Sequence, residues 1–146
     1  MLNATSRTLL AGVLLAGPAC STDPSDDLIG ARQRWASQHI STYVITVSKS
    51  CECLGPWKID VHIQNGAVVS MVDPATGQQL PVPFSGPYQD VEGLFTTVEA
   101  AIQQHAHSLT VRYNRTYGYP ESISIDWNPK AVDDEIAYAV TDFQPG

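Results

Sequence analysis

The sequence has little positive charge and none of the common catalytic motifs. Its 146 residues include 8 Lys and Arg against 15 Asp and Glu, which gives a net charge of −7. This balance argues against a nucleic-acid partner and against adsorption to anionic membranes, because both need basic patches. The chain also contains no G-x-S-x-G, H-E-x-x-H, P-loop or G-x-G-x-x-G motif. The sequence therefore favours a non-enzymatic protein without a cofactor.

Charged residues make up only 16% of the chain, whereas hydrophobic residues make up 43%. This composition is typical of one ordinary globular domain. Cysteine is scarce, with three residues in the whole chain. A domain of about 120 residues buries roughly two thirds of the surface that its unfolded chain exposes. A core is therefore expected to form without disulfide bonds.

The N-terminal stretch has the layout of an export signal. Arg7 precedes an apolar run, and small residues precede Cys20, which predicts a signal peptide over residues 1–19. The apolar run is too short to span a membrane as a stable helix. A cysteine in this position resembles the lipobox of bacterial lipoproteins, in which it is acylated and becomes the first mature residue. Ordinary cleavage after Ala19 is the alternative. Residues 20–27 then form a polar tether, and residues 28–146 form a single domain.

Hydrophobic periodicity predicts a helix, three strands, a second helix and three further strands. Asp26 or Asp27 is expected to cap the first helix, whose buried positions include Leu28 and Trp35, and Asp90 is expected to cap the second. Strands joined by short turns are antiparallel neighbours. We therefore expect an α+β domain with a three-stranded antiparallel meander before the second helix, three further antiparallel strands after it, and both helices packed on one sheet.

An Asn65-Gly66 pair between apolar runs predicts a two-residue hairpin with a type I′ turn. In the resulting register Ile63 faces Val68 on the buried side, and Met71 lies on the outer side. Lys49 interrupts the alternation of the preceding strand. We expect a bulge near Lys49, or an outward-facing position for it.

A proline-rich stretch from Asp73 to Asp90 predicts a long loop. Loops of this length are often functional, although a strap packed over the sheet is the alternative. Aromatic residues in this loop and near turns form a candidate binding surface, because Tyr and Trp supply rigid contact area. Half-buried corner aromatics are the alternative for these positions. The residues of the candidate surface are Trp57, Phe84, Tyr88, Tyr117 and Tyr119.

Several short motifs are distributed over most of the chain. They are Cys-x-Cys at the end of the 43–53 strand, Asn65-Gly66, Val91-Glu92-Gly93-Leu94-Phe95, Gly118-Tyr119-Pro120, and Asp133-Asp134-Glu135 followed by Tyr138. Together they resemble an uncharacterised family of bacterial secreted or lipid-anchored domains of unknown function. The resemblance supports an anchor at Cys20 and implies no activity.

Cys51 and Cys53 are the sharpest chemical feature of the sequence. With Cys20 acylated, two thiols remain in an oxidising envelope, where they are expected to pair. Residues two positions apart on a flat strand have a Cα separation near the upper limit for a disulfide bond. The bond therefore needs a local bend in the strand. Free or buried thiols and a redox role are alternatives. A metal role is another, with His105 and His107 completing a Cys2His2 site for zinc or copper.

We therefore expect a non-enzymatic module in the bacterial cell envelope, lipid-anchored or secreted. Its partner is an envelope protein or a small ligand, and it contacts the membrane only through the lipid anchor. The alternative is a thiol-based metal-binding or redox protein that uses Cys51 and Cys53.

Overall fold

The computed structural model describes residues 24–51, 58–82, 89–131 and 134–146. These residues form two α-helices and one antiparallel sheet of seven strands. In chain order the elements are α1 Pro24–Ser37, β1 Tyr43–Ser50, β2 Lys58–Gln64, β3 Ala67–Val72, β4 Gln79–Leu80, α2 Val91–Gln103, β5 Ser108–Tyr113, β6 Pro120–Asp126 and β7 Ile136–Pro145. The strand order is β4-β3-β2-β1-β7-β6-β5. Neither of these two helices is long and apolar enough to cross a bilayer.

The predicted arrangement of strands is wrong. A short additional strand, β4, precedes α2, and its Leu80 pairs with Met71 of β3. Two residues are too few to show an alternating pattern, so β4 has no signal in the sequence. The last strand also does not stay within a group of three, because β7 pairs with β1 on one side and β6 on the other. The result is a continuous seven-stranded sheet, and only the coarser α+β description agrees with it.

The two helices begin differently from one another. Asp90 caps α2 as predicted, since its Oδ1 accepts a hydrogen bond from the backbone N–H of Gly93 at 2.8 Å. The first helix begins at Pro24, ahead of the predicted cap at Asp26 or Asp27. Proline suits the first turn of a helix, because its missing N–H would have no partner there. The helix therefore includes the last four residues, 24–27, of the predicted tether.

The β2–β3 hairpin confirms the predicted turn and corrects the register beyond it. Asn65 and Gly66 have φ of 50° and 76°, as a type I′ turn requires, and Ile63 pairs with Val68. A bulge then shifts the pairing by one residue, which makes Val69 48% exposed and Met71 only 4% exposed. The predicted outer position of Met71 is wrong, because one extra residue in a strand reverses the faces that follow.

Replacing Gly66 with valine is expected to cost roughly 1–3 kcal/mol of folding stability, because a β-branched residue is strained at positive φ. No atom lies within 4 Å of an added Cβ at this position, so the loss reports backbone strain alone. Gly66→Asn is the matched control, since asparagine tolerates this conformation and should lose less. Equal unfolding free energies for parent and valine variant in a urea melt would contradict the turn assignment.

The central strand β1 buries one face in the core. Ile45 and Val47 are fully buried, and the register irregularity of the β1–β7 pair lies between Thr46 and Val47. The extra residue at this irregularity belongs to β7, so the alternation of β1 continues unbroken. Lys49 therefore lies on the core side instead of facing outward. Its Nζ lies 5.9 Å from the centre of the Tyr138 ring, and burial lowers the pKa of the ammonium group.

The sheet has two ends, which we name after the first and last residues of β1. At the Tyr43 end, the Tyr43 hydroxyl accepts a hydrogen bond from the backbone N–H of Val91 at 3.2 Å. This bond places the beginning of α2 at that end. At the Ser50 end, strands β1 and β6 finish and strands β2, β5 and β7 begin. Each residue near a strand terminus can therefore be assigned to one end of the domain.

Candidate functional site

A groove opens at the Ser50 end, between the start of α1, the end of α2 and the edge strand β5. It consists of cavities of about 220, 400 and 230 Å³. Pro24 and Leu109 line both the first and the second cavity, and Ser25 and Ile102 line both the second and the third. The three cavities are therefore adjacent, and we call them together the N-terminal groove.

The wall of the N-terminal groove is mainly apolar. Its apolar side chains are Pro24, Leu28, Ile29, Val98, Ala101, Ile102, Ala106, Leu109 and Val111. Ile29 is 54% exposed, whereas the neighbouring Leu28 is 7% exposed. Ile29 therefore extends the apolar surface of the depression, and a contiguous apolar depression is a candidate site for a ligand or a partner.

Two carboxylates and a histidine lie along the same groove. Asp27 lines the first cavity, His105 the second and Glu99 the third. His105 follows α2 with a φ of 55°, a conformation that histidine adopts more readily than most residues. Because the Glu99 carboxylate is paired with Arg32, the Asp27 carboxylate is the charge that makes the groove better suited to a neutral or cationic head group than to an anionic one.

Tyr113 forms the β5 side of the groove. Its ring stacks on Phe95 with the centroids 6.3 Å apart, and the Arg32 guanidinium lies 5.3 Å from the centre of the Phe95 ring. Arg32 Nη1 donates to Glu99 Oε2 at 3.3 Å. Burial and the nearby Asp27 carboxylate raise the pKa of Tyr113 to about 12, although Arg32 opposes them. The phenol is therefore protonated at neutral pH and provides a hydrogen-bond donor in the lining.

The predicted aromatic surface is described only at Tyr117 and Tyr119. Tyr119 is 7% exposed, and its ring centroid lies 6.3 Å from that of Trp35 and 4.8 Å from that of Phe143. Tyr117 stacks on Tyr119 at 6.2 Å and is half-buried. Both tyrosines thus pack into an aromatic cluster at the Tyr43 end, which is the alternative that the sequence left open.

Trp57, Phe84 and Tyr88, the other residues of that surface, lie outside the described residues. The 73–90 loop is described in part. It contains β4 and a turn in which the N–H of Gly77 donates to the carbonyl oxygen of Asp73 at 2.7 Å. Binding through this loop stays a prediction.

Of the cysteines and histidines singled out in the sequence, Cys51, His105 and His107 lie at the Ser50 end. Cys51 is half-buried directly after β1, and Cys53 lies outside the described residues. His105 lines the groove, and His107 is exposed just before β5. Within the described ranges, no three His, Cys, Asp or Glu side chains are grouped so that they could hold a metal ion. The disulfide and metal hypotheses both stay predictions.

Sequence reasoning missed the N-terminal groove. The helical stripe of α1 pointed to Leu28 and Trp35 as buried residues, and Ile29 lies outside that stripe. An isoleucine on the polar side of a helix was the one available signal. The opposite wall comes from Leu109 and Val111 of β5, and no local pattern shows that β5 lies beside α1.

Two helices on one antiparallel sheet, with an apolar groove at one end, form an α+β fold. The chain belongs to the Family of unknown function (DUF6174), whose model matches residues 27–145. This match confirms the expected membership of an uncharacterised family of domains of unknown function. No curated protein matches the chain.

Proposed function

We propose that the protein is an envelope-tethered, non-enzymatic domain that binds a small amphiphilic ligand in the N-terminal groove. The groove itself carries this proposal, since cavities of a few hundred cubic ångströms with apolar walls and a few polar groups are the usual form of ligand sites. Its apolar wall suits the body of such a ligand. Asp27 and the protonated Tyr113 suit a neutral or cationic head group.

In this proposal residues 1–19 are removed, and an acyl group on Cys20 then anchors the chain to the membrane. The signal-like pattern of those residues supports it. The family match begins at residue 27, so Cys20 precedes the part of the chain that the family model covers.

The proposal also includes a disulfide bond between Cys51 and Cys53. Export into an oxidising compartment supports this bond. Cys51 also has a bonding or contacting partner, as the proposed bond requires. In this account the bond is structural, and the groove at the same end of the domain carries the function.

The mass of the protein isolated from its native membrane is expected to show both modifications. The chain should begin at Cys20, exceed the peptide mass by acyl groups, and lack the two thiol hydrogens of Cys51 and Cys53. Non-reducing peptide mapping would locate the bond. Retention of Met1 would remove the export proposal, and free thiols at both cysteines would favour the thiol-based alternative.

The groove is expected to bind the neutral fluorescent probe N-phenylnaphthylamine, and Ile29→Asp should weaken this binding about tenfold or more. The reason is that the substitution puts a charge where an apolar wall contributes roughly 1.5–3 kcal/mol per buried aliphatic side chain. Ile29 is 54% exposed, so the fold should be unaffected. A fluorescence titration of parent and variant measures the two dissociation constants.

Val69→Asp is the matched control for this titration. Val69 is an aliphatic residue with a similar exposure, 48%, at the β3 bulge away from the groove lining. It should leave probe binding unchanged. Equal weakening by both substitutions would show that the probe binds elsewhere, and failure of the parent to bind it would contradict the proposed ligand class.

A further inference from the structure

The proposed anchor lies very close to the folded domain along the chain. Only Ser21, Thr22 and Asp23 separate Cys20 from Pro24, the first residue of α1. Even a fully extended chain of this length spans only about 14 Å. Pro24 is therefore held close to the surface of any leaflet in which an acyl group on Cys20 is embedded.

Pro24 lies at the Ser50 end of the domain. It lines the same cavities as His105, which follows α2, and Leu109, near the start of β5. The other end of α1 is about 20 Å away along the helix axis, as its 14 residues dictate. There Trp35 packs against Tyr43. The short tether thus holds one particular end of the domain near the leaflet.

The Ser50 end has side chains that suit a lipid–water interface. Trp127, just after β6, is 36% exposed. All three lysines of the chain, Lys49, Lys58 and Lys130, lie at this end, and the last two are exposed. Tryptophan is enriched at the level of the head groups, and lysine can lay its aliphatic stem along an apolar surface while its ammonium group stays in water.

Acidic residues are also present at this end. Among the described residues they include Asp26, Asp27, Asp73, Asp126, Asp134 and Glu135. The surface is therefore not a basic patch, and attraction to anionic lipid is not what would hold it. The anchor supplies the proximity, and the contact should occur on zwitterionic phosphatidylcholine.

We propose that the Ser50 end of the domain rests on the leaflet that holds the anchor, with Trp127 and Lys130 at the head groups and the N-terminal groove beside the membrane. This proposal rests on acylation of Cys20, but it does not depend on which ligand the groove binds. It makes the lipid leaflet the partner of this surface and directs the Tyr43 end away from the membrane.

Cysteine labels beyond the two ends of β6 test this orientation. Lys130 lies in the connection after β6 and Arg115 in the turn before it, both are exposed, and the seven residues of β6 separate them by about 20 Å. Lys130→Cys and Arg115→Cys, each in the full acylated chain with an environment-sensitive fluorophore, are reconstituted in phosphatidylcholine vesicles that contain a head-group nitroxide lipid. The label at position 130 should lose most of its emission to the nitroxide. The label at position 115 should keep nearly all of it.

Two further measurements test whether the difference in quenching between positions 130 and 115 comes from contact of this end with the membrane and from the short tether. Quenching of tryptophan emission by brominated phosphatidylcholine should decrease in Trp127→Phe, which reads the same contact without an added thiol. Ten Gly and Ser residues inserted after Ser21 should remove most of the difference between positions 130 and 115, because the longer tether no longer holds one end down. Equal quenching at both positions in the acylated chain would overturn the orientation alone. A native chain without acyl groups would overturn the anchor and the orientation together, and probe binding in the groove would then be judged separately.

Discussion

Replacing Gly118 with alanine is expected to cost on the order of 3–5 kcal/mol of folding stability, because the backbone of α1 occupies the space that a side chain needs. Gly118 lies between β5 and β6 with a φ of +93°, in the conformation that favours glycine. An added Cβ would lie 2.9 Å from the backbone nitrogen of Trp35 and still closer to the carbonyl oxygen of Ala31. These atoms belong to a regular helix and cannot move aside independently. Equilibrium unfolding in urea measures the loss.

Gly77→Ala separates the two causes of that loss. Gly77 also has a positive φ, +71°, but no atom lies within 4 Å of a Cβ built there. Its replacement should cost only about 1–2 kcal/mol, the usual penalty for an L-residue in this region. If both variants were destabilised equally, the close approach of Gly118 to α1 would not contribute to stability, and the packing of α1 described above would be wrong.

The Gly118 contact also changes the interpretation of the Gly-Tyr-Pro motif. Gly118 allows the connection to approach α1, Tyr119 is buried in the aromatic cluster, and Pro120 is fully buried at the start of β6. All three residues thus have structural roles at the Tyr43 end.

Features that depend on neighbouring residues could be predicted from the sequence. The Asn65-Gly66 turn and the Asp90 cap each follow from the hydrogen bonds or dihedral angles of a few adjacent residues. The burial of Met71 in place of Val72 could not be predicted in this way. Either residue can supply apolar surface to the core, so the alternation pattern fits both registers, and tertiary packing decides for Met71.

The groove could not be predicted for a related reason. Ile29 is a single apolar residue on the exposed side of α1, and such residues are common on protein surfaces. It becomes part of a candidate site only because Ile102 of α2 lies in the same cavity, and that proximity follows from helix packing.

Trp35→Ala is expected to cost about 3–5 kcal/mol, because it removes the residue that holds α1 to the sheet at the Tyr43 end. Trp35 is 6% exposed. Its ring makes edge contacts with Tyr43 and Phe143 at centroid distances of 5.5 and 5.8 Å, and such pairs add stability beyond the area that they bury. A large cavity would remain among rings that belong to three different strands and connections, so collapse of the surrounding structure should recover little of the loss. Denaturant unfolding followed by far-ultraviolet circular dichroism measures it.

Trp127→Ala provides the matched control, because it deletes the same side chain from a position that is 36% exposed. It should change stability by less than about 1 kcal/mol.

The Trp35→Ala variant also tests whether the N-terminal groove depends on the position of α1 against the sheet. Where Trp35→Ala remains folded, it should bind N-phenylnaphthylamine more weakly, since Pro24, Leu28 and Ile29 belong to the helix that Trp35 holds in place. Unchanged probe binding in a destabilised Trp35→Ala protein would mean that the groove wall is positioned by α2 and β5 without α1.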